Sequence, residues 1–382
     1  MKRLAIITTH PIQYYAPLFK RLAHGCVLKV FYTWGEESIS KYDPGFKKTI
    51  KWDIPLLDGY DYEFLRNTSN NPGTHRFNGI INPEAINRIT DFNPDAILVF
   101  GWSYYSHLRI LRHFKGKKAV WFRGDSTLLD ASASIKQIFK YYLLRWVYSY
   151  VDKAFYVGSN NKKYYKKFGL NEEQLLFSPH AIDNDRFAVD YRGKANLLRE
   201  KLGVSKNETL ILFAGKLEEK KNPLILLEVF IKNKFKNTHL LFVGNGELDE
   251  SLKMLAKNNT HVHFMDFQNQ TMMPVIYQAC DLFCLPSKGP GETWGLAVNE
   301  AMAAGKAVLI SDKVGCGADL VKSDVNGGIF KHESIDDLSL KLRKMNTLEK
   351  LRKYGSNSKS LIMQYSLRSA SKNILSELSN LN

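Results

Sequence analysis

Lys216 and Lys221 stand five residues apart, after an apolar run that ends in Gly215 and before a helix opening near Pro223. A strand-to-helix turn aims unpaired backbone N–H groups at one point, and two ammonium groups beside it suit a diphosphate. A solvated lysine run is the plain alternative for Lys-Lys beside Glu-Glu, but the strand-end position of Lys216 favours phosphate. Gly244 and Gly246 form a turn after the next apolar run, where a missing Cβ lets backbone approach a ligand. That turn lacks the spacing of a full dinucleotide fingerprint, so taken alone it fits a simple strand-to-helix connection equally well.

A third constellation carries more. A Gly/Pro-rich loop from Gly289 to Gly295 leads into a helix near Trp294–Leu296 that Gly305 ends. Glu292 sits in the loop and Glu300 in the early turns of the helix. The N–H groups at the N-terminus of that helix would hold a phosphate at the positive end of its dipole. Carboxylates accept paired hydrogen bonds from vicinal hydroxyls. Two of them flanking a phosphate site read as two sugar rings, one on either side.

These residues need a scaffold, and the chain alternates short apolar runs with helical patterns throughout, the signature of parallel α/β architecture. Strands are expected at Leu4–Thr9, Val27–Tyr32, Ala96–Phe100, Ala119–Phe122 and Ala154–Val157, with helices at Tyr14–Ala23, Pro83–Asp91 and Ile135–Tyr150 between them. In the second half, strands are expected at Leu210–Ala214, Leu240–Val243, Val262–Met265, Leu282–Leu285 and Ala307–Ile310. With 382 residues the chain is long enough for two domains. Periodicity lapses over 185–206, and the boundary is placed there. Parallel sheets bind ligands at the carboxyl ends of their strands, which is where each constellation above lies.

Cys26, Cys280, Cys284 and Cys316 are too few for a disulfide framework, and no nearby ligands complete a metal site. They read as structural thiols of a reducing cytoplasm. No apolar run reaches the ~18 residues of a membrane span, and the first residues read as a buried strand rather than a signal peptide.

Glu292 and Glu300 match the Glu-x7-Glu motif of retaining, nucleotide-sugar-dependent glycosyltransferases of the GT-B fold. The chain resembles glycosyltransferase family four, the glycosyl transferases group one. Lys216 stands where that family has an arginine, Lys221 matches its lysine, and Gly244 and Gly246 match its Gly-x-Gly turn. Ser178–Asp183, followed by Phe187, resembles its interdomain turn. The resemblance implies an α/β GT-B fold, two Rossmann-like domains with parallel sheets facing an interdomain cleft. It implies an acceptor-binding domain over 1–185, a nucleotide-sugar-binding domain over 186–364, and a C-terminal helix at about 365–382 returning to the first domain. Cleft closure would then hinge near 186–205 and around 360. Gly215, Gly244, Gly246 and the N–H groups of Thr293, Trp294, Gly295 and Leu296 would line the donor. Lys216 and Lys221 would neutralise the departing diphosphate, Glu300 would bind the ribose, and Glu292 the transferred sugar. Retention would follow a front-face path in which the leaving phosphate helps deprotonate the acceptor. Electrostatic stabilisation of that leaving group would dominate, with no metal and no other cofactor required.

The first domain should then hold the acceptor, and there the chain departs from the family. The Gly-Gly turn of many members is replaced by Thr8–Tyr15. Gln13, His10 and the N–H groups of a helix starting near Ile12 could face the cleft, although His10 fits a structural role equally well. Arg123 and Asp125 end another strand. Asp125 is the candidate to orient or deprotonate the acceptor hydroxyl, or it caps a loop, and the histidine that members often carry near it is absent. Gly101-Trp102-Ser103 is a weaker cleft candidate. Asp183-Asn184-Asp185 spells the cation-binding D-x-D signature, yet its position suits a turn or helix cap better.

The 54 Lys and Arg against 38 Asp and Glu leave a net charge of +16, which calls for an acidic partner. The cations cluster at Arg112–Lys118, Lys136–Arg145 and Lys162–Lys167, and Phe139–Trp146 mixes them with aromatic and apolar residues on a helix. This reads as a peripheral surface for anionic lipid headgroups at the inner face of a membrane. The expected partners are a nucleotide sugar, a glycan or lipid-linked acceptor of surface polysaccharide or glycoconjugate synthesis, and that membrane. A nucleotide-sugar epimerase of the same fold explains the two glutamates less well. A nucleic-acid-binding protein has only the charge and interleaved aromatics in its favour, with no recognition motif beside them. A phosphorylase would need a pyridoxal-phosphate lysine context that the sequence lacks.

Overall fold

The computed structural model describes residues 1–39, 41–43, 48–131, 135–345 and 347–381. The chain divides into two compact units. One comprises Met1–Lys41, Ile54–His180 and Leu367–Asn382, the other Tyr42–Asp53 and Ala181–Ser366.

The strands before residue 181 are β1 (Arg3–Thr8), β2 (Val27–Tyr32), a short pair β3 (Lys41–Asp43) and β4 (Lys48–Ile50), then β5 (Asp61–Phe64), β6 (Ala96–Phe100), β7 (Ala119–Arg123), β8 (Lys153–Tyr156) and β9 (Leu175–Phe177). Apart from β3 and β4, which form a two-stranded sheet among the described residues, they form one sheet in the order β5-β2-β1-β6-β7-β8-β9. The pairing is parallel, with Thr8 opposite Tyr32 and Ile7 opposite Val99. Side chains alternate across a strand, so Ala5 and Ile7 join one apolar layer while Leu4 and Ile6 join the other. Both faces are therefore covered, and a strand without polar alternation is what such a sheet requires. The C-terminal helix Leu367–Ser379 contributes Ala370, Ile374 and Leu378 to the second of these layers, beside Leu18 and Leu22. Asn373 Nδ2 ties it to the Phe177 carbonyl at 2.6 Å.

The second unit holds β10 (Thr209–Ala214), β11 (Thr238–Val243), β12 (Val262–Met265), β13 (Leu282–Leu285), β14 (Ala307–Ser311) and β15 (Gly327–Phe330), in the order β12-β11-β10-β13-β14-β15. These too are parallel, with Ala214 opposite Val243 and Leu285 opposite Ile310. The excursion Tyr42–Asp53 belongs to this unit: Asp53 accepts from the Thr271 N–H at 3.2 Å, and the Lys51 carbonyl accepts from Asn269 at 2.7 Å.

Several elements differ from the sequence expectation. The first helix begins at Ala16 rather than near Ile12 or Tyr14, because Pro17 suits the first turn of a helix and not its interior. The stretch after 185, where apolar periodicity lapses, is ordered. It forms the helix Arg192–Lys201, and Arg199 anchors it to the Ala279 carbonyl at 2.8 Å and to Asp281 at 3.0 Å. Strands β5, β9 and β15 were not expected. β5, β9 and β15 lie at sheet edges, and none carries a fully apolar run of ordinary length.

Candidate active site

At the carboxyl end of β10 the chain turns at Gly215, whose φ of +153° favours glycine and whose missing Cβ faces open space, with no atom within 4 Å. The next turn differs. A Cβ on Gly244 would lie 2.0 Å from the Gly215 carbonyl oxygen, and one on Gly246 would lie 2.2 Å from that of Leu217. The two loops ride directly on each other, joined by Leu217 N–H to Asn245 O at 3.0 Å and Leu248 N–H to Leu217 O at 3.0 Å. Gly244 and Gly246 are thus required by loop contact, whereas Gly215 borders space.

Beyond Gly215, half-buried Lys216 leads into the short turn Glu219–Lys221, and Asn222, at a φ of +51°, begins the helix Pro223–Asn233. Lys221 Nζ reaches across to Glu292 and forms an ion pair with Oε2. Ser287 Oγ donates to the same oxygen at 2.9 Å, and Glu292 is only 8% exposed. Lys221 and Glu292, 71 positions apart in the chain, are therefore direct partners.

The loop bearing Glu292 rests on the turn after β14. The Glu292 carbonyl accepts from Gly315 N–H at 3.0 Å and the Trp294 carbonyl from Cys316 N–H at 2.9 Å. A Cβ on Gly315 would lie 1.7 Å from the Thr293 carbonyl oxygen. Gly295, at φ +93°, is the N-cap of the helix Leu296–Ala303. Trp294 does not face outward; its buried indole donates from Nε1 to Asn299 Oδ1 at 2.8 Å and anchors the loop. Glu300 is 4% exposed, and its Oε2 accepts from the buried Tyr277 hydroxyl at 2.8 Å. Tyr277, from the helix Met273–Ala279, was not singled out in the sequence.

The strand ends of the first unit are arranged otherwise. His10 Nδ1 lies 2.8 Å from Thr9 Oγ1, and its ring meets Trp34 edge-on at 5.3 Å. Gln13 is half-buried in the turn before the first helix. Arg123 points inward at 2% exposure, and its guanidinium donates to Ser178 O at 2.7 Å, Ser178 Oγ at 2.8 Å and Pro179 O at 3.0 Å. Burial lowers its pKa. What Arg123 holds is the turn that carries His180, a buried imidazole 3.9 Å from the half-exposed Asp125. Burial lowers the pKa of His180 while Asp125 opposes the shift, and the ring stacks on Tyr15 at 6.0 Å. A histidine thus stands beside Asp125, supplied by a turn 55 residues further along, which no local spacing announced.

Two further placements matter. His107 is fully buried, with Nε2 2.8 Å from Thr33 Oγ1 and Nδ1 2.8 Å from the Gly101 carbonyl, and burial pushes its pKa down to about 4. Asp183 of the D-x-D signature caps a helix, accepting from Arg186 N–H at 3.2 Å, and Asn184 donates to the Ile362 carbonyl at 3.2 Å. Among the described residues no group of three or more His, Cys, Asp or Glu is arranged to hold a metal.

Comparison with known proteins bears on this geometry. Residues 195–360 match the family model described as Glycosyl transferases group 1. A phosphatidyl-myo-inositol mannosyltransferase of Mycobacterium tuberculosis is 30% identical over 137 residues, 35% of this chain and 34% of that protein. The UDP-Gal:alpha-D-GlcNAc-diphosphoundecaprenol alpha-1,3-galactosyltransferase of Escherichia coli is 27% identical over 179 residues, 45% of each chain. The matches thus span between a third and a half of these relatives. Among solved structures, Anabaena HepE in complex with UDP-glucose aligns over 100% of both chains with a TM-score of 0.71 at 17% identity. The likeness is one of fold: this chain has the GT-B architecture of two parallel-sheet α/β units, and its second unit carries the stretch that matches Glycosyl transferases group 1.

Proposed function

We propose that the protein is a retaining, metal-independent glycosyltransferase that moves a sugar from a nucleotide-diphosphate donor to a glycan or lipid-linked acceptor. The observation that carries this reading is the meeting of Lys221 and Glu292 beside the Gly295-capped helix that bears Glu300, at the strand ends of one sheet. Lys216, Lys221 and the N–H groups of 293–296 neutralise the diphosphate, whose charge grows as the bond to the sugar breaks. Glu300, held by Tyr277, accepts the ribose hydroxyls, and Glu292 accepts those of the transferred sugar. Donor binding draws Lys221 from Glu292 toward phosphate and leaves the carboxylate for the sugar.

In the reaction the bond from the anomeric carbon to the phosphate oxygen breaks, and the acceptor oxygen bonds to that carbon on the same face. The acceptor proton passes to the departing phosphate, so no separate base is needed. Asp125, with His180 beside it, orients the acceptor. The names of the relatives, a mannosyltransferase of a phosphoinositide and a galactosyltransferase of a diphosphoundecaprenol-linked sugar, favour an acceptor of that class. Such an acceptor would place the enzyme on the cytoplasmic face of a membrane, as a peripheral protein.

Calorimetric titration with a panel of nucleoside diphosphates and nucleotide sugars tests this. Micromolar-range binding of one nucleotide, weakened about tenfold in Glu300→Ala and unchanged by chelator, is expected. A folded protein that binds no member overturns the donor site. Isomerised nucleotide sugar formed without acceptor replaces the reading with an epimerase.

A further inference from the structure

The helix Ile135–Tyr148 buries three of its fourteen residues, Leu144, Val147 and Tyr148, all in its second half. Ile135, Ile138, Phe139, Tyr142, Leu143 and Trp146 are exposed, Ile135 at 74% and Phe139 at 73%. These six positions recur at three- and four-residue steps and so share one side of the helix. They are six of the nineteen exposed large apolar side chains among the described residues, gathered on a single element. A contiguous apolar face of this kind marks an interaction surface rather than ordinary scatter.

Its surroundings are cationic. Between Tyr105 and Lys167 the chain carries fourteen Lys and Arg against three Asp, a net +11 of the total +16, although Arg123 among them is buried and Lys162 and Lys166 pair with Glu172. Lys136, Lys140 and Arg145 lie on the helix itself, and Arg112 holds its guanidinium 5.5 Å over the Trp146 ring. At the C-terminal end of the helix a pocket of about 210 Å³ is lined by Lys115, Arg145, Tyr148, Ser149, Gly169 and Gln174, among others.

We propose that this helix lies flat on an anionic phospholipid bilayer, with the six-residue face inserted below the headgroups and the lysines and arginines on their phosphates. Charge selects this occupant. A second copy docked by two-fold symmetry would bring the same cations face to face, whereas lipid phosphates neutralise them. The side chains are those that settle at a bilayer interface, with Trp146 and Tyr142 beside aliphatic anchors. A fourteen-residue helix is about 21 Å long, too short to cross, and among the described residues no helix is long and apolar enough to do so. The surface uses none of the donor-site residues and gives the peripheral placement of the proposed function a specific element, resting on that reading.

Flotation with vesicles of phosphatidylcholine alone, and of phosphatidylcholine with 30% phosphatidylglycerol, tests it on the full chain. Binding should be at least tenfold stronger to the anionic vesicles and should fall steeply as salt is raised from 0.1 to 0.5 M. Ile138→Asp/Phe139→Asp, at positions exposed in the fold, should abolish it, and Lys136→Glu/Lys140→Glu should weaken it about tenfold. Circular dichroism and nucleotide titration of both variants should match wild type, which separates failure here from failure of the donor reading. Vesicle binding that survives the aspartate pair overturns the proposal. So does a wild-type dimer in sedimentation equilibrium that the aspartate pair converts to monomer with no vesicle binding by either.

Discussion

The two sheets end in opposite ways. At the strand ends of the second unit, charged side chains find partners on other elements, Lys221 on Glu292 and Glu300 on the Tyr277 hydroxyl. At those of the first unit, buried polar groups are committed to their own loops: Arg123 to the Ser178–Pro179 carbonyls, His107 to Thr33 and Gly101, and Asn82 to the Thr33 and Arg66 carbonyls, each at 2.9 Å. The first kind of site can trade an internal ion pair for a charged ligand. The second kind shapes loops and leaves recognition to the few groups at its surface, Asp125 among them. Under the proposed function, a fixed donor held at the second unit and a variable acceptor at the first would call for that division.

Several experiments would break or sharpen the contrast. The largest effect is expected from Lys221→Ala, which removes the charge proposed to stabilise the leaving group and leaves the nearly buried Glu292 carboxylate without its counter-ion. Transfer should fall by about 100-fold or more in kcat/KM, and Lys221→Ala/Glu292→Gln should cost less than the sum of the single changes. Equal losses from Arg123→Lys, with stability unchanged, would erase the distinction between the two ends. Next comes Gly244→Ala, which drives a methyl into the Gly215 carbonyl. Chemical denaturation should register a loss of about 3 kcal/mol, whereas Gly215→Ala meets no neighbour and should cost less stability while weakening nucleotide binding. Tyr277→Phe removes one hydrogen bond to Glu300 and should weaken nucleotide binding about fivefold, or about 1 kcal/mol, with acceptor KM unchanged.

The last effect is one of pH. His107 in the first unit and His263 in the second are both held at about 4 by burial, the latter also by the neighbouring imidazoles of His239 and His261. Between about 4 and the ordinary 6.5, the unfolded chain binds protons that the fold refuses, so stability falls as pH drops through that window. Urea titrations at pH 7.5, 6.5, 5.5 and 4.5 should show the decline, and His107→Gln should flatten it by removing one of the refused protons.

What the sequence made legible follows from how local each signal is. Leu4–Ile7 and Ile97–Val99 are uniformly apolar because both faces of their sheet are covered, and such runs declare themselves. Asp61–Phe64 and Gly327–Phe330 lie at sheet edges and need no apolar run, so they escaped notice. Gly295, Glu292 and Glu300 were readable because one loop and one helix carry them. The roles of Gly244 and Arg123 were not, because each is set by a backbone that arrives from 29 and 55 positions away. His180 and Tyr277 were hidden for the same reason.

The most direct test is hydrogen–deuterium exchange with and without the nucleoside diphosphate that titration selects. Protection should concentrate at residues 215–222 and 289–300 and leave 8–15 and 123–126 at their free rates. Protection confined to the strand-end loops of the first unit, with 215–222 and 289–300 unchanged, would contradict the assignment of the donor to the second.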